Sequence, residues 1–528
     1  MSTNTHNLAA TMGRSTVSGM VSKVAQVSTR FVTVPIVIAH LGLAGYGIWS
    51  IVMTTAAYMR FGSVGIKSAF QKYVAEATGT GDYETANKLL STGCAIMAVL
   101  SVVGLIPIAL LSKQLASAAG VPEQFLSSAA GSISMLAIIM LLSNVGAVFE
   151  AIVMGGHRID LARHLTTFFT VAEAGAIVAL LHFGYGLLAM AAVMAASELG
   201  FVSCCYLVSR RIVPEIRLRI RYVTRGVLYE LVRFAGSYQL VNVLEVLYGA
   251  ILPITILRAF GADASGVYAL VTRLVAAAVT LTDAFLLPVL SGGTLLYASG
   301  CAEEMRRLIC KSFKVTLGLT LLPLMLTAVF GTTIVFAWTG QVDPLFGISL
   351  RLVCVAALFQ SISLLELVLY RVTGRALMDN VRQALRIVIL LGIAVFARKL
   401  GFTGVLWGLA VAELMGMLFM LLAVTRAFHP FRVRSLLPDA LKLGTATAAI
   451  TAVGVIALRV PMPMFGVGRS VAIVQLLMVS GGCLLAMWPA LRLTRAVTGA
   501  EGRAILTAIL GRRARFITER ARLVETEQ

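Results

Sequence analysis

Apolar runs long enough to cross a bilayer recur from one end of this sequence to the other. About 20 apolar residues span a hydrocarbon core as a helix. Runs of that kind, bounded by charge or turn residues, fall at 17–40, 44–65, 89–111, 125–154, 165–183, 187–208, 231–257, 264–290, 313–338, 348–370, 387–397, 405–424, 441–458 and 471–493, about fourteen in all. The 387–397 run is short and borrows 381–385, with Arg382 and Arg386 snorkelling or facing protein. Backbone in lipid must satisfy its own hydrogen bonds, so the expected fold is an all-α polytopic membrane protein.

Composition agrees. Of 528 residues, 59% are hydrophobic and 13% charged, with a mean hydropathy of +0.90. That excludes a soluble enzyme, a disordered chain and a disulfide scaffold. The seven Cys show no CxxC pairing and read as small core residues. No GxSxG or HExxH segment occurs, and no metal site is expected. The Gly79–Asp82 glycine-rich stretch lacks the P-loop lysine and reads as a turn. The run from Val17 is interrupted by Lys23 and Arg30, so it reads as a retained first helix rather than a cleaved signal.

The net charge of +20 lies between the apolar runs, which favours the positive-inside rule over nucleic acid as a partner. Loops after even-numbered runs carry groups such as Lys67, Lys72 and Lys88, or Arg306, Arg307, Lys311 and Lys314, and the tail after 493 is strongly basic. The opposite loops carry little beyond Lys113, Arg258, Arg398, Lys399, Arg459 and Arg469. Both termini are therefore expected in the cytoplasm. The outer loops are too short to hold a catalytic domain.

An internal repeat organises the chain. Pro35-Ile36-Val37-Ile38, Leu41-Gly42 and Gly45-Tyr46-Gly47-Ile48-Trp49 are echoed by Pro253-Ile254-Thr255-Ile256, Phe260-Gly261 and Ser265-Gly266-Val267-Tyr268. Ala77-Thr78-Gly79 matches Ala298-Ser299-Gly300, Glu150 matches Glu366, Gly156 matches Gly374, Gly184 matches Gly401, and Glu198 matches Glu413. The order is kept at a nearly constant offset. This divides the chain into a six-helix lobe at 1–209, a basic cytoplasmic linker at 210–230, a second six-helix lobe at 231–425, two extra transmembrane helices at 438–493 and a basic tail at 494–528. Six is even, so the repeats are parallel, and a central cavity is expected between them. The linker is expected to be an amphipathic segment on the cytoplasmic surface.

Polar residues inside spans are the candidates for that cavity. Lys23, Gln26 and Arg30 share one face of the first helix, and the repeat carries them onto Asn242, Glu245 and Tyr248 in the seventh. Lys23 also has the option of snorkelling to the interface. Arg273 and Asp283 line the cavity or pair with neighbours. Glu173 and Asp283 are the coupling candidates, for H+ or Na+; no other cofactor is expected. Glu150 and Glu366 suit ion pairs with Arg158 or Arg371, and Glu198 and Glu413 suit helix–helix hydrogen bonds. Tyr58, Tyr238 and Tyr248 are placed either to stack on sugars or to join the interfacial aromatic belt.

Leu41-Gly42-Leu43-Ala44-Gly45-Tyr46-Gly47-Ile48-Trp49, Ser63-Val64-Gly65-Ile66 and Lys72-Tyr73-Val74-Ala75-Glu76 carry a resemblance. They are similar to the LG-x-x-x-YG-x-W-like, DLGI-like and RYVAE-like segments of the polysaccharide transporter (Wzx-type flippase) branch of the multidrug/oligosaccharidyl-lipid/polysaccharide exporter superfamily. Ser63 stands where that branch has an acidic residue. The motifs cover mainly the first ninety or so residues, and the fourteen-helix plan covers the rest.

The resemblance implies a non-enzymatic flippase of the bacterial inner membrane. It would move a polyprenyl-pyrophosphate-linked oligosaccharide to the periplasmic leaflet, by alternating access, for O-antigen, capsule or exopolysaccharide synthesis. Lys23, Arg30 and Arg273 would then hold the pyrophosphate. Membrane lipids and the polysaccharide polymerase or export machinery are the partners it suggests. The competing readings are a cation-coupled multidrug or metabolite exporter of the same fold, a membrane-bound polysaccharide polymerase or ligase, and an inactive pseudo-transporter.

Overall fold

The structure is a computed structural model that describes residues 31–54, 64–156, 158–373, 377–428, 433–458 and 468–494, together with Ser28 and Thr29. Every regular element among them is helical. In chain order these are α1 (Phe31–Thr54), then α2 (Val64–Thr80), α3 (Tyr83–Leu110), α4 (Ser112–Ala118), α5 (Glu123–Gly155), α6 (Ile159–His182), α7 (Leu187–Ile212), α8 (Arg225–Ala298), α9 (Ala302–Thr339), α10 (Leu345–Arg371), α11 (Leu377–Val395), α12 (Ala397–Ala427), α13 (Leu437–Leu458) and α14 (Arg469–Leu493). Short 3-10 turns occupy Ile220–Tyr222 and Val433–Leu436.

Eleven helices among the described residues are long and apolar enough to cross a membrane. The difference from about fourteen runs has two causes. Two of the expected outer loops shrink to a break at one left-handed glycine, Gly42 in α1 and Gly261 in α8, so α1 holds parts of the first two runs and α8 holds the seventh and eighth. And α11 carries Asp379, Arg382 and Arg386 within 19 residues, which is too much charge for an ordinary span. One expected loop is also partly helical: α4 lies between the third and fourth runs.

The breaks inside the merged helices are glycines. Gly261 stands at φ 89° inside α8 and Gly401 at φ 70° inside α12. Only glycine takes such angles without steric cost. The left-handed glycines also restate the repeat. Gly42 pairs with Gly261 at 219 positions, Gly81 with Gly300 at 219, Gly120 with Gly340 at 220, and Gly184 with Gly401 at 217. The same four turns were kept when the chain was doubled.

By packing, the chain forms two compact units, 1–272 with 379–412, and 273–378 with 413–528. Their boundaries fall inside α8, α11 and α12.

In the first unit α5 is the hub, packing on α2, α3, α4, α6 and α7. Phe70, Val74, Leu90, Val148, Ala151 and Ile152 form one core cluster with Val213 and Ile216 of the linker. Polar pairs join the helices. The Ser143 hydroxyl donates to the Glu198 carboxylate at 2.5 Å, between α5 and α7. Asn144 donates to the Ser101 hydroxyl at 2.8 Å, between α5 and α3. Glu198 thus makes the helix–helix bond its position suggested.

In the second unit α9 packs on α10, α13 and α14, and α13 packs on α14. Leu365, Leu369, Met420 and Val424 form one core cluster with Ile309 and Phe313. Phe330, Ile450, Val479 and Cys483 form a second, which fixes the two C-terminal helices. Thr282 and Thr320 share a buried hydrogen bond of 3.0 Å. The Arg469 guanidinium donates to the carbonyls of Ala337 and Trp338 at 3.3 and 2.7 Å, capping the end of α9.

The middle of the linker is not helical. Apart from the turn at Ile220–Tyr222, residues 213–224 are irregular. The sequence shows why: Ile216-Arg217-Leu218-Arg219 alternates apolar and basic residues with period two, the pattern of an extended chain.

A candidate anion-receptive site on α11 and α8

Asp379, Arg382, Gln383 and Arg386 follow one another at i, i+3, i+4 and i+7, one face of α11. All four are buried, and each arginine is only 2% exposed. The Arg382 guanidinium lies 3.6 Å from the Asp379 carboxylate. The Arg386 guanidinium donates to the Gln383 side-chain oxygen at 2.8 Å and sits 3.7 Å over the ring of Tyr248 in α8. A desolvated cation on an aromatic face is worth about 2 kcal/mol. Buried ions are costly unless held this way. Among the described contacts the cluster brings two guanidiniums together with one carboxylate.

Immediately after Tyr248, Gly249 lines a cavity of about 200 Å³ in the same unit. Ser50 and Thr54 of α1 and Ser265, Tyr268 and Thr272 of α8 also face it. Thr54 and Thr272 spend their hydroxyl protons on the carbonyls of Ser50 and Tyr268, at 2.7 and 2.8 Å. Their lone pairs stay available as acceptors. Pro253, also on the lining, has no N–H and denies the Gly249 carbonyl its usual helical donor. Among the described residues the lining has no charged side chain. It suits a neutral, hydroxyl-rich group such as a sugar ring, beside a cluster that suits an anion.

Of the residues singled out from sequence, Tyr248 is brought into this cluster. Glu245, one turn earlier on α8, is exposed, as are Arg273 and Asp283 further along it. Glu173 is half-buried on α6, where Thr166 and Thr170 bond back to their own helix. Lys23, Gln26 and Arg30 lie outside the described residues, as do Tyr58 and the side chains of Asn242 and Tyr238. Arg158 pairs with Asp160 at 3.4 Å. Arg382 and Arg386 were visible in the sequence as charges that snorkel or face protein, but not as partners of Tyr248. Their spacing on one face, in a run too short to span without them, was the available signal.

These helices, breaks and repeats make an all-helical membrane fold that is shared with solved transporters of the multidrug/oligosaccharidyl-lipid/polysaccharide superfamily. The chain is similar to the lipid II flippase MurJ in an inward closed conformation, with a TM-score of 0.67 and 14% identity over 90% of this chain and 98% of that one. It is similar to an inward-facing multidrug resistance MATE family transporter of the superfamily, with a TM-score of 0.61 and 14% identity over 79% of this chain and 98% of that one. It is also similar to a superfamily transporter from Pyrococcus furiosus, described as having a binding pocket of reversed polarity that suggests a different function, with a TM-score of 0.53 and 14% identity over 80% and 94%. No family model and no curated protein matches the sequence.

Proposed function

We propose that this protein is a flippase that carries a polyprenyl-pyrophosphate-linked oligosaccharide from the cytoplasmic to the outer leaflet of the bacterial inner membrane. The observation that carries the reading is the buried Arg386 guanidinium held over Tyr248, with Arg382 on the same face of α11. Guanidiniums suit a phosphate-bearing headgroup, which they bind by charge-assisted hydrogen bonds, better than they suit a cationic drug. The hydroxyl-lined cavity beginning at Gly249 would take a sugar of the headgroup. One structural neighbour is itself a lipid II flippase, which supports a lipid-linked substrate.

The energetic problem is the headgroup. Sugars and phosphates are too costly to move through hydrocarbon bare. Glu245, Arg273 and Asp283, each exposed on an apolar helix, are assigned from the sequence to a hydrated passage that would replace water around them. Lys23, Gln26, Arg30 and Asn242 are assigned to the same passage from their place in the repeat. The lipid tail stays in the bilayer, and the two repeats rock about the site. Glu173 and Asp283 remain the candidates for coupling to H+ or Na+. Both termini are placed in the cytoplasm by the loop charges.

Loss of the protein from its host tests the reading. A flippase deletion accumulates polyprenyl-linked repeat units in the cytoplasmic leaflet. A polymerase or ligase deletion instead exports single units, and a drug-exporter deletion leaves the lipid-linked pool unchanged.

A further inference from the structure

The segment between α7 and α8 is tied down in an unusual way. Its backbone, not its side chains, is bonded to one polar face of α3. The N–H groups of Arg217, Arg219 and Thr224 donate to the side-chain oxygens of Asn87, Ser91 and Thr92 at 2.7, 3.2 and 3.2 Å. Asn87 also donates to the Glu215 carbonyl at 3.2 Å. Val213 and Ile216 are buried beneath, against Phe70 and Leu90. Asn87, Ser91 and Thr92 are themselves buried and are used up by the strap.

This anchoring leaves most arginine side chains of the strap facing outward. Arg217, Arg219, Arg221 and Arg225 are exposed. Residues 210–225 hold six arginines against one acid, Glu215, whose side chain is exposed. Arg210 folds back onto the Ile216 carbonyl, and Arg221 lies on the neighbouring ring of Tyr222. Period-two alternation would turn Ile220 inward with Ile216 and Leu218. The 3-10 turn at Ile220–Tyr222 breaks that parity, and Ile220 is 92% exposed between two arginines.

The depth of the strap explains this arrangement. It is bonded to α3 at residues 87–92, where the polar start of that helix gives way to its apolar run. In a membrane-spanning helix such a change from polar to apolar marks the level of lipid phosphates, where arginine meets anionic headgroups and an apolar side chain enters the acyl boundary.

We propose that this strap is a binding surface for anionic phospholipid headgroups of the surrounding leaflet, with Arg217, Arg219 and Arg221 contacting phosphates and Ile220 inserted among the upper acyl carbons. The surface is separate from the translocation site and does not depend on the substrate assigned above. It fixes the junction between the two sequence repeats to the bilayer.

The test is amide exchange of the full-length protein in nanodiscs of phosphatidylcholine, with and without phosphatidylglycerol. Phosphatidylglycerol slows exchange at Leu218, Ile220 and Tyr222. The R217Q/R219Q/R221Q variant loses that effect. In mixed micelles its apparent affinity for phosphatidylglycerol falls about fivefold per arginine removed. The Arg217 and Arg219 amides, bonded to Asn87 and Ser91, stay protected in the variant and show that it is folded. I220S weakens the effect without abolishing it. Equal exchange in both lipids overturns the proposal. So does phosphatidylglycerol protection that survives the triple substitution, or protection produced equally by inorganic phosphate, which would mark a soluble-anion site.

Discussion

Gly47 and Gly266 meet backbone to backbone, and neither leaves room for a side chain on the other. A Cβ on Gly47 would lie 2.5 Å from the Gly266 nitrogen and 2.6 Å from the Ala262 oxygen; a Cβ on Gly266 would overlap the Leu43 carbonyl. Gly266 follows Gly47 by 219 positions, as Ala262 follows Leu43. The contact is therefore reciprocal: each copy of the repeat offers its glycine to the same carbonyl position of the other, as in an isologous interface. Small residues let membrane helices approach this closely.

Either glycine is therefore expected to resist substitution. Gly47→Ala and Gly266→Ala should each destabilise the protein by about 1–3 kcal/mol, the usual range for overpacking. Gly175→Ala, where nothing lies within 4 Å of the added carbon, should not. Thermal unfolding in detergent reads the difference.

The repeat was legible because its signals are backbone signals. Gly42, Gly81, Gly184 and their mates must be glycine to take positive φ, so duplication kept them. The α11 cluster was less legible for the same reason. At an offset of 217 its arginines map onto Leu165 and Phe169, so a search for polar residues shared by both copies passes over them. Their pairing with Tyr248 depends on tertiary packing between α8 and α11, which no local pattern encodes. The anchoring of the linker was not legible in its own residues. Its alternation of apolar and basic residues was visible, but the Asn87, Ser91 and Thr92 face that receives its backbone lies about 130 positions away.

The Tyr248–Arg386 stack should depend on the aromatic face and not on the hydroxyl. Tyr248→Phe should retain stability, while Tyr248→Leu should lose about 0.5–2 kcal/mol. Arg386→Met should be tolerated better than Tyr248→Leu, because removing the ring leaves a buried charge behind. Denaturation of the purified variants checks the order.

Asp82 caps α3, accepting from the Thr85 N–H at 3.1 Å. Hydrogen bonds from Thr85 hold its carboxyl below the usual carboxylate range. A lowered folded value gives a contribution present above the unfolded carboxylate pKa and lost as pH falls through the folded one. Acidification should therefore speed amide exchange in the first turn of α3, and Asp82→Ala should remove that pH dependence.

Arg469 should anchor the last helix to α9. Arg469→Gln removes the charged cap on Ala337 and Trp338 and should cost about 1 kcal/mol. The loss should appear as earlier thermal unfolding and faster proteolysis near residue 468.

Reconstitution into vesicles tests the central claim most directly. A fluorescent polyprenyl-pyrophosphate-linked sugar in the outer leaflet becomes inaccessible to a membrane-impermeant reductant only if the protein moves it. The account predicts protein-dependent protection that is lost in Arg386→Gln at equal incorporation, with no transport of a cationic dye. Dye transport without movement of the lipid-linked sugar, or full activity in Arg386→Gln, would contradict it.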